Sequence, residues 1–243
     1  MTNIEKTIDI INQAKKMKIQ KVSLGFSTGK DSLIGLDLLL KNGIEVCPVY
    51  FYIVPGMTFI EENLAIYEKY YNLKIVRLPH PMLQDFINLC LYQPLHKAKF
   101  MTMFYNKDDS YCKFSGIMNW YFKEENIDIQ YDCNCMKMAD SLNRRLLLRN
   151  KPDIDTERKV IYLGKYLKTS EIWHYLKEQK IPITNDYDIF GRSADNLLNY
   201  QYLIGVKKYY PDDYKKIIEY FPLADVEIKR YNAYLKLYEN GKE

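Results

Sequence analysis

Two stretches of this chain carry residue types that can hold and act on an oxyanion. The first is Gly25-Phe26-Ser27-Thr28-Gly29-Lys30-Asp31-Ser32, which follows a short apolar run and precedes a leucine-rich one. Gly29 lets backbone amides approach a phosphate closely. A helix starting near Asp31 would aim free N–H groups and its positive dipole end at the anion. Ser27 and Ser32 add hydroxyl donors, and Lys30 supplies charge against the charge of a transferring phosphate. Asp31 can cap the helix or help to hold magnesium. The spacing excludes the Walker A loop: three residues rather than four separate Gly25 from Gly29, and Asp31 stands where the magnesium-binding hydroxyl belongs. The second stretch clusters Lys137, Arg144, Arg145 and Arg149. Arg145 and Arg149 are four apart, where like charges on a helix cost about 0.2–0.5 kcal/mol. A bound phosphate or sulfate would offset that repulsion. A solvated basic face paired with distant acids explains the two arginines equally well. The loop itself also fits an ordinary strand–turn–helix junction, where Ser, Gly and Asp are common.

The elements around these stretches alternate. Residues 4–18 read as an amphipathic helix, 21–26 as a strand ending at the Ser27 loop, and 31–41 as a helix closed by Asn42-Gly43. Residues 45–54 form a nearly continuous apolar run, as in a strand buried on both faces. Thr58 and Glu61 have the spacing of a capping box for a helix to about Tyr71. Strands follow at 73–78, 127–131 and 160–163, with helices at 82–91, 113–125, 141–150 and 169–180. Residues 92–111, polar and aromatic, suit a loop over the site. From about Asp195 the pattern is helical. The expected fold is α/β: a doubly wound, mostly parallel five-stranded sheet over residues 1–190, with a helical extension over 191–243. In such sheets ligands bind at the carboxyl ends of the strands. Tyr52 and Ile53, at the end of the second strand, stand at such an end and join the expected ligand-contacting residues.

The bulk numbers agree with a globular protein and narrow its partners. The chain has 243 residues, 47% hydrophobic and 27% charged, with a net charge of +4. That charge permits an anionic ligand but does not mark a nucleic-acid binder. The 23 tyrosines are spread along the whole chain, which fits compositional bias better than a set of base-stacking platforms. The N-terminal residues lack the apolar core of a secretory signal, and no run is long enough to cross a bilayer. A cytoplasmic protein with free thiols is expected, so Cys47, Cys90, Cys112, Cys133 and Cys135 read mainly as packed or inert groups. His80, between two prolines, is the most site-like histidine, whereas His174 reads as a helix packing or surface residue.

The first stretch resembles the PP-loop of the ATP pyrophosphatases, Ser-Gly-Gly-x-Asp-Ser, with Thr28 in place of the first glycine. Beyond it, residues 20–220 resemble the phosphoadenosine phosphosulfate (PAPS) reductase family of that superfamily. Pro55-Gly56-Met57-Thr58-Phe59-Ile60-Glu61 is similar to the family's turn and helix start after the second strand. The segment from Cys135 to Arg144 is similar to its Gly-x-Arg-x-x-Glu-Ser-x-x-Arg pattern: Ser141 and Arg144 match, Lys137 replaces the arginine and Asp140 the glutamate. Thr169 to Leu176 with Ile181-Pro182 resembles its Trp-containing helix and following turn, and Gly191-Arg192-Ser193 a late Gly-Arg-Ser/Thr segment. The resemblance implies ATP or a PAPS-like adenine nucleotide as ligand and Mg2+ as cofactor. It implies catalytic roles for Lys30, Asp31, Lys137 and Arg144, and nucleotide contacts from Ser27, Thr28, Gly29, Lys30, Asp31, Ser32, Ser141 and Arg145. The family's late catalytic cysteine has no counterpart, since no cysteine follows Cys135, and Cys-x-Cys is poor spacing for an iron–sulfur cluster. Adenylylation of an unknown acceptor, with release of pyrophosphate, is therefore expected ahead of sulfate reduction or sulfur transfer. A non-catalytic nucleotide-binding subunit is the other class. A homodimer or a partner protein is also in view, because the tail carries tyrosines such as Tyr209, Tyr210, Tyr214 and Tyr220, which fit a core equally well.

Overall fold

The computed structural model describes residues 2–88, 90–94, 113–191 and 200–240. In chain order the elements are α1 (Asn3–Lys16), β1 (Lys21–Gly25), α2 (Lys30–Lys41), β2 (Glu45–Tyr52), α3 (Thr58–Tyr71), β3 (Val76–Pro79), α4 (Pro81–Asn88), α5 (Phe114–Glu124), β4 (Tyr131–Cys133), α6 (Leu142–Arg149), β5 (Ile154–Asp155), β6 (Val160–Ile161), α7 (Thr169–Glu178), α8 (Asp186–Phe190), α9 (Tyr200–Tyr209), α10 (Pro211–Tyr220) and α11 (Ala224–Asn240). The sheet is α/β and mostly parallel, as the alternation requires, with strand order β3-β2-β1-β4-β6-β5. β1 pairs in parallel with β2 and β4, and β4 with β6. The expected five strands are joined by a sixth, β5, which runs antiparallel to β6. The fourth strand begins only at Tyr131, because Ile127 is still used by the end of α5, its N–H donating to the Phe122 carbonyl. Most of the stretch read as a loop over the site, and Cys112, Arg192 and Ser193, lie outside the described residues.

The topology has a switch point. From β1 the chain moves outward through β2 and β3, then returns to the other side of β1 with β4. The order therefore switches between β1 and β4, and the loops leaving the carboxyl ends of those two strands flank the switch point. One is the Ser27 loop. The other contains Lys137.

Contacts divide the chain into two units. One comprises Met1–Phe51, Leu64–Leu78 and Tyr121–Thr184; the other comprises Tyr52–Asn63, Pro79–Trp120 and Asn185–Glu243. The core of the first unit is built around α2, whose residues from Ser32 to Leu39 are all buried. A helix buried on every side needs apolar residues all round, and the leucines supply them. The one charge in that stretch, Asp37, is satisfied: it accepts from Tyr175 Oη at 2.6 Å and Tyr71 Oη at 3.3 Å and pairs with Lys41 at 2.9 Å. Burial first, then the Asp37 carboxylate, pushes the Tyr71 and Tyr175 phenols well up, so both remain proton donors to it.

In the second unit, α3 begins in a way the sequence did not suggest. Thr58 is the first residue of the helix rather than its cap. Its N–H and that of Phe59 donate instead to Asp213 of α10, at 2.7 and 3.0 Å. Phe59 stacks on Tyr210 at 4.5 Å beside that contact. His80 is used locally as well: its N–H donates to the Tyr52 carbonyl, Nδ1 accepts from the Met82 N–H at 3.0 Å, and its ring meets Phe114 edge-on. It thereby fixes the start of α4 and lines a mostly apolar cleft of about 450 Å³ with Leu83, Ile87, Ile117 and Trp120. His174 sits on the surface of α7. Among the described residues no helix is long and apolar enough to cross a membrane.

Candidate nucleotide site

The Ser27 loop is folded tightly on itself. The Ser27 N–H donates to Ser32 Oγ at 3.3 Å, and Ser32 Oγ donates to the Gly29 carbonyl at 2.9 Å. Ser32 is thus a staple within the loop, and its proton is already committed. Gly29 is the N-cap of α2 and, having no side chain, makes no capping bond. The first turn of α2 is therefore left without a capping side chain, the arrangement that suits an anion. Asp31, read from the sequence as a cap or a metal ligand, does not cap the helix. It is the second residue of α2, and its carboxylate turns toward the loop after β4.

Thr28 holds a backbone conformation that glycine adopts far more readily. Its φ is +58°, in the left-handed region that β-branched residues avoid. The residue is buried, and its Oγ1 donates to the Ser27 carbonyl at 2.6 Å. A strain of about 1–3 kcal/mol is thus set against burial and one local hydrogen bond. Thr28→Gly should change the unfolding free energy by less than about 1 kcal/mol, because relieved strain offsets what is lost. Thr28→Val keeps the strain and loses the bond, so it should destabilise by about 1 kcal/mol or more. Urea unfolding of the two variants checks this; equal losses in both would remove the strain argument.

The second loop reaches α2 because two positions have no side chain. A Cβ at Gly35 would collide with Cys135 Sγ, and one at Gly164 with the Cys135 backbone. Backbone bonds hold the loop down: the Gly164 N–H donates to the Asn134 carbonyl at 3.2 Å and the Met138 N–H to the Lys165 carbonyl at 3.1 Å. Burial, with the nearby Asp31 carboxylate, pushes the Cys135 thiol up to about 12, with Lys137 opposing. Such a thiol is protonated at neutral pH and is a poor nucleophile. Burial likewise raises Cys47 and Cys133, in keeping with inert packed thiols.

This packing brings together four of the charged residues singled out above. Lys137 is only 1% exposed and pairs with Asp31 Oδ2 at 2.6 Å and with Asp140 Oδ1 at 3.0 Å. Asp140 pairs in turn with Arg144, and Lys30 lies 3.4 Å from Asp31 Oδ2. Burial works to raise the Asp140 carboxyl, but Lys137 and Arg144 outweigh it and hold the group below the usual carboxylate range. The result is a continuous run of ion pairs from the loop after β1 to the helix after β4. Asp140 enters it although the sequence marked it only as a replacement for glutamate.

One atom in the run lacks a partner. Asp31 Oδ1 is buried and makes no hydrogen bond. A buried carboxylate oxygen left unpaired is costly and asks for a donor or a cation. Among the described residues no group of three or more acidic, His or Cys side chains could hold a metal. A magnesium ion with a single protein carboxylate, completed by phosphate oxygens and water, fits that donor set.

The remaining expected residues are placed differently. Ser141 is the N-cap of α6, its Oγ accepting from the Arg144 N–H at 3.2 Å. Arg145 and Arg149 lie exposed on α6, and no acid pairs with them among the described residues. The same helix exposes Leu142, Leu146 and Leu147 and buries only Leu148. Tyr52 closes β2 and Ile53 follows it; both belong to the second unit.

No family model and no curated protein matches the chain. Among solved structures, it is similar to "NH3-dependent NAD synthetase from Campylobacter jejuni subsp. jejuni NCTC 11168 in complex with the nitrate ion", with 15% identity, a TM-score of 0.49, and coverage of 90% of this chain and 92% of that one.

Proposed function

We propose that this chain is an enzyme of the PP-loop type that binds ATP with magnesium at the Ser27–Ser32 loop and transfers the adenylyl group to an acceptor. The acceptor's nucleophilic atom bonds to the α-phosphorus. The bond from that phosphorus to the bridging oxygen breaks, and pyrophosphate leaves with the electron pair. The observation that carries the reading is the set Asp31, Lys137 and Lys30 beside the uncapped first turn of α2. The loop amides and Lys30 hold the polyphosphate. Lys137 and Arg144 stabilise the charge that grows on the leaving oxygens. Asp31, through its unpaired Oδ1, would hold the magnesium ion, which supplies charge neutralisation between phosphate oxygens. Thr28 and Gly29 shape the cradle, and Ser27 lines it. The assignment of Tyr52, Ile53, Ser141 and Arg145 to the nucleotide rests on the sequence reading. Use of a 3′-phosphorylated adenylyl sulfate for reduction is less favoured, because no cysteine follows Cys135, and burial raises the Cys135 thiol beside the ion pairs.

Calorimetric titration with ATP and Mg2+ tests the ligand, with Lys30→Ala and Asp31→Ala as variants. Each is expected to weaken binding by about tenfold or more, the worth of one charge-assisted contact. Unchanged affinity in both would overturn the reading. Tighter binding of a 3′-phosphorylated nucleotide than of ATP would move it to the sulfate-transferring class. Appearance of AMP and pyrophosphate with candidate acceptors reports the chemistry.

A further inference from the structure

We propose that Asp140 is a positioning residue that retains Lys137 when Asp31 turns its carboxylate to a metal-bound nucleotide. The inference rests on the nucleotide reading above and deepens it. Lys137 is fully buried and holds two carboxylates at once, Asp31 at 2.6 Å and Asp140 at 3.0 Å. An ammonium in such a place must keep a partner, because an unpaired buried charge is strongly destabilising. The two oxygens of Asp31 are placed differently: Oδ2 faces Lys137 and, at 3.4 Å, Lys30, while Oδ1 is buried and makes no hydrogen bond. A cation held by Asp31 competes with Lys137 for the same carboxylate. Asp140 removes the penalty of that competition, since it leaves Lys137 with one ion pair throughout. Arg144, which is about half exposed, braces Asp140 from the solvent side. The four groups thus allow Asp31 to change partner without leaving a buried charge alone.

The consequence is specific to the metal. With Asp140 neutral, Asp31 becomes the only full charge left for Lys137, and loading Asp31 with a cation becomes harder. Binding of the nucleotide without metal asks no such exchange. The test is calorimetric titration of ATP with Mg2+ and with a metal chelator, in the wild-type protein, Asp140→Asn and Asp140→Glu. The quantity read is the ratio of metal-free to Mg2+-dependent dissociation constants. Asp140→Asn is expected to lower that ratio by about tenfold, roughly the effect of one charge-assisted bond. Asp140→Glu, which keeps the charge, is expected to restore it to within about threefold of wild type, a difference well under one such bond. If Asp140→Asn does not fold, Asp140→Ser takes its place as the neutral variant. A ratio unchanged in the neutral variant overturns the proposal. So does an equal loss with and without Mg2+, which is what a merely structural role produces. Absence of ATP binding to the wild-type protein in either condition overturns the nucleotide reading itself, and is thereby told apart from failure of the Asp140 role.

Discussion

Replacing Lys137 with methionine is expected to weaken ATP binding by about 100-fold and to destabilise the first unit by about 2 kcal/mol. The binding loss follows from removing an ammonium beside the polyphosphate cradle, whose charge-assisted contacts are each worth about 1.5–3 kcal/mol. The stability loss arises because Asp31 and Asp140 then face each other with their shared cation gone. It stays below the roughly 3–5 kcal/mol of a fully buried pair, since the Asp31 and Asp140 side chains keep 31% and 24% exposure and water screens them in part. Lys137→Arg keeps the positive charge and should retain most of the affinity. Titration calorimetry and urea unfolding on the same samples separate the two effects. Full destabilisation with wild-type affinity would make Lys137 a structural strut and remove it from the catalytic set.

What the sequence disclosed and what it hid have physical causes. The strand–helix order was readable because most of β2 and all of α2 from Ser32 to Leu39 lie in apolar surroundings, and continuous apolar runs say so. The junction between β1 and α2 was readable because Ser27, Gly29 and Asp31, set between two apolar runs, mark a turn and a helix start. β5 was missed because two residues, Ile154 and Asp155, carry no period. The fourth strand was set too early because Ile127-Asp128-Ile129 alternates like a strand while the ladder starts at Tyr131, against Val22. The burial of Lys137 could not be read at all. Lysine is almost never fully buried, and here burial depends on glycines at 35 and 164, far from it in the chain, that let the second loop reach α2. Asp140 was visible as a motif position but not as the partner of both Lys137 and Arg144. The arginines of α6 illustrate the converse: their clustering was evident, and only the structure shows that no described acid answers Arg145 or Arg149.

Removal of the Asp213 carboxylate should be the largest single loss in the second unit. Its side chain is only 2% exposed. It accepts from two backbone N–H groups that open α3, Thr58 and Phe59, and pairs with Lys216 at 2.9 Å. Lys216 in turn donates to the Gly56 carbonyl and to Thr58 Oγ1. Asp213→Ala leaves the two N–H groups unpaired in a buried place and frees Lys216 from its acid. A lost cap costs about 0.5–2 kcal/mol, and the charged, buried setting raises the expected total to about 3 kcal/mol. For a chain of this length that lowers the melting temperature by about 6–12 °C. The effect is also pH-dependent, with a definite sign. Burial alone would raise the Asp213 carboxyl, but the Phe59 and Thr58 N–H groups and Lys216 outweigh it and hold it below its ordinary value. A carboxyl depressed in the folded state stabilises at pH above its unfolded value of about 3.9, and the contribution fades as pH falls through the folded one. The gap between wild type and Asp213→Ala in urea midpoint should therefore be full at pH 7 and should narrow steadily below about pH 4. Asp213→Asn, which keeps an oxygen acceptor but no charge, should fall between the two at pH 7. A gap that is the same at pH 7 and at pH 3 would mean that the side chain acts by shape alone, and that the start of α3 does not depend on a charge supplied from α10.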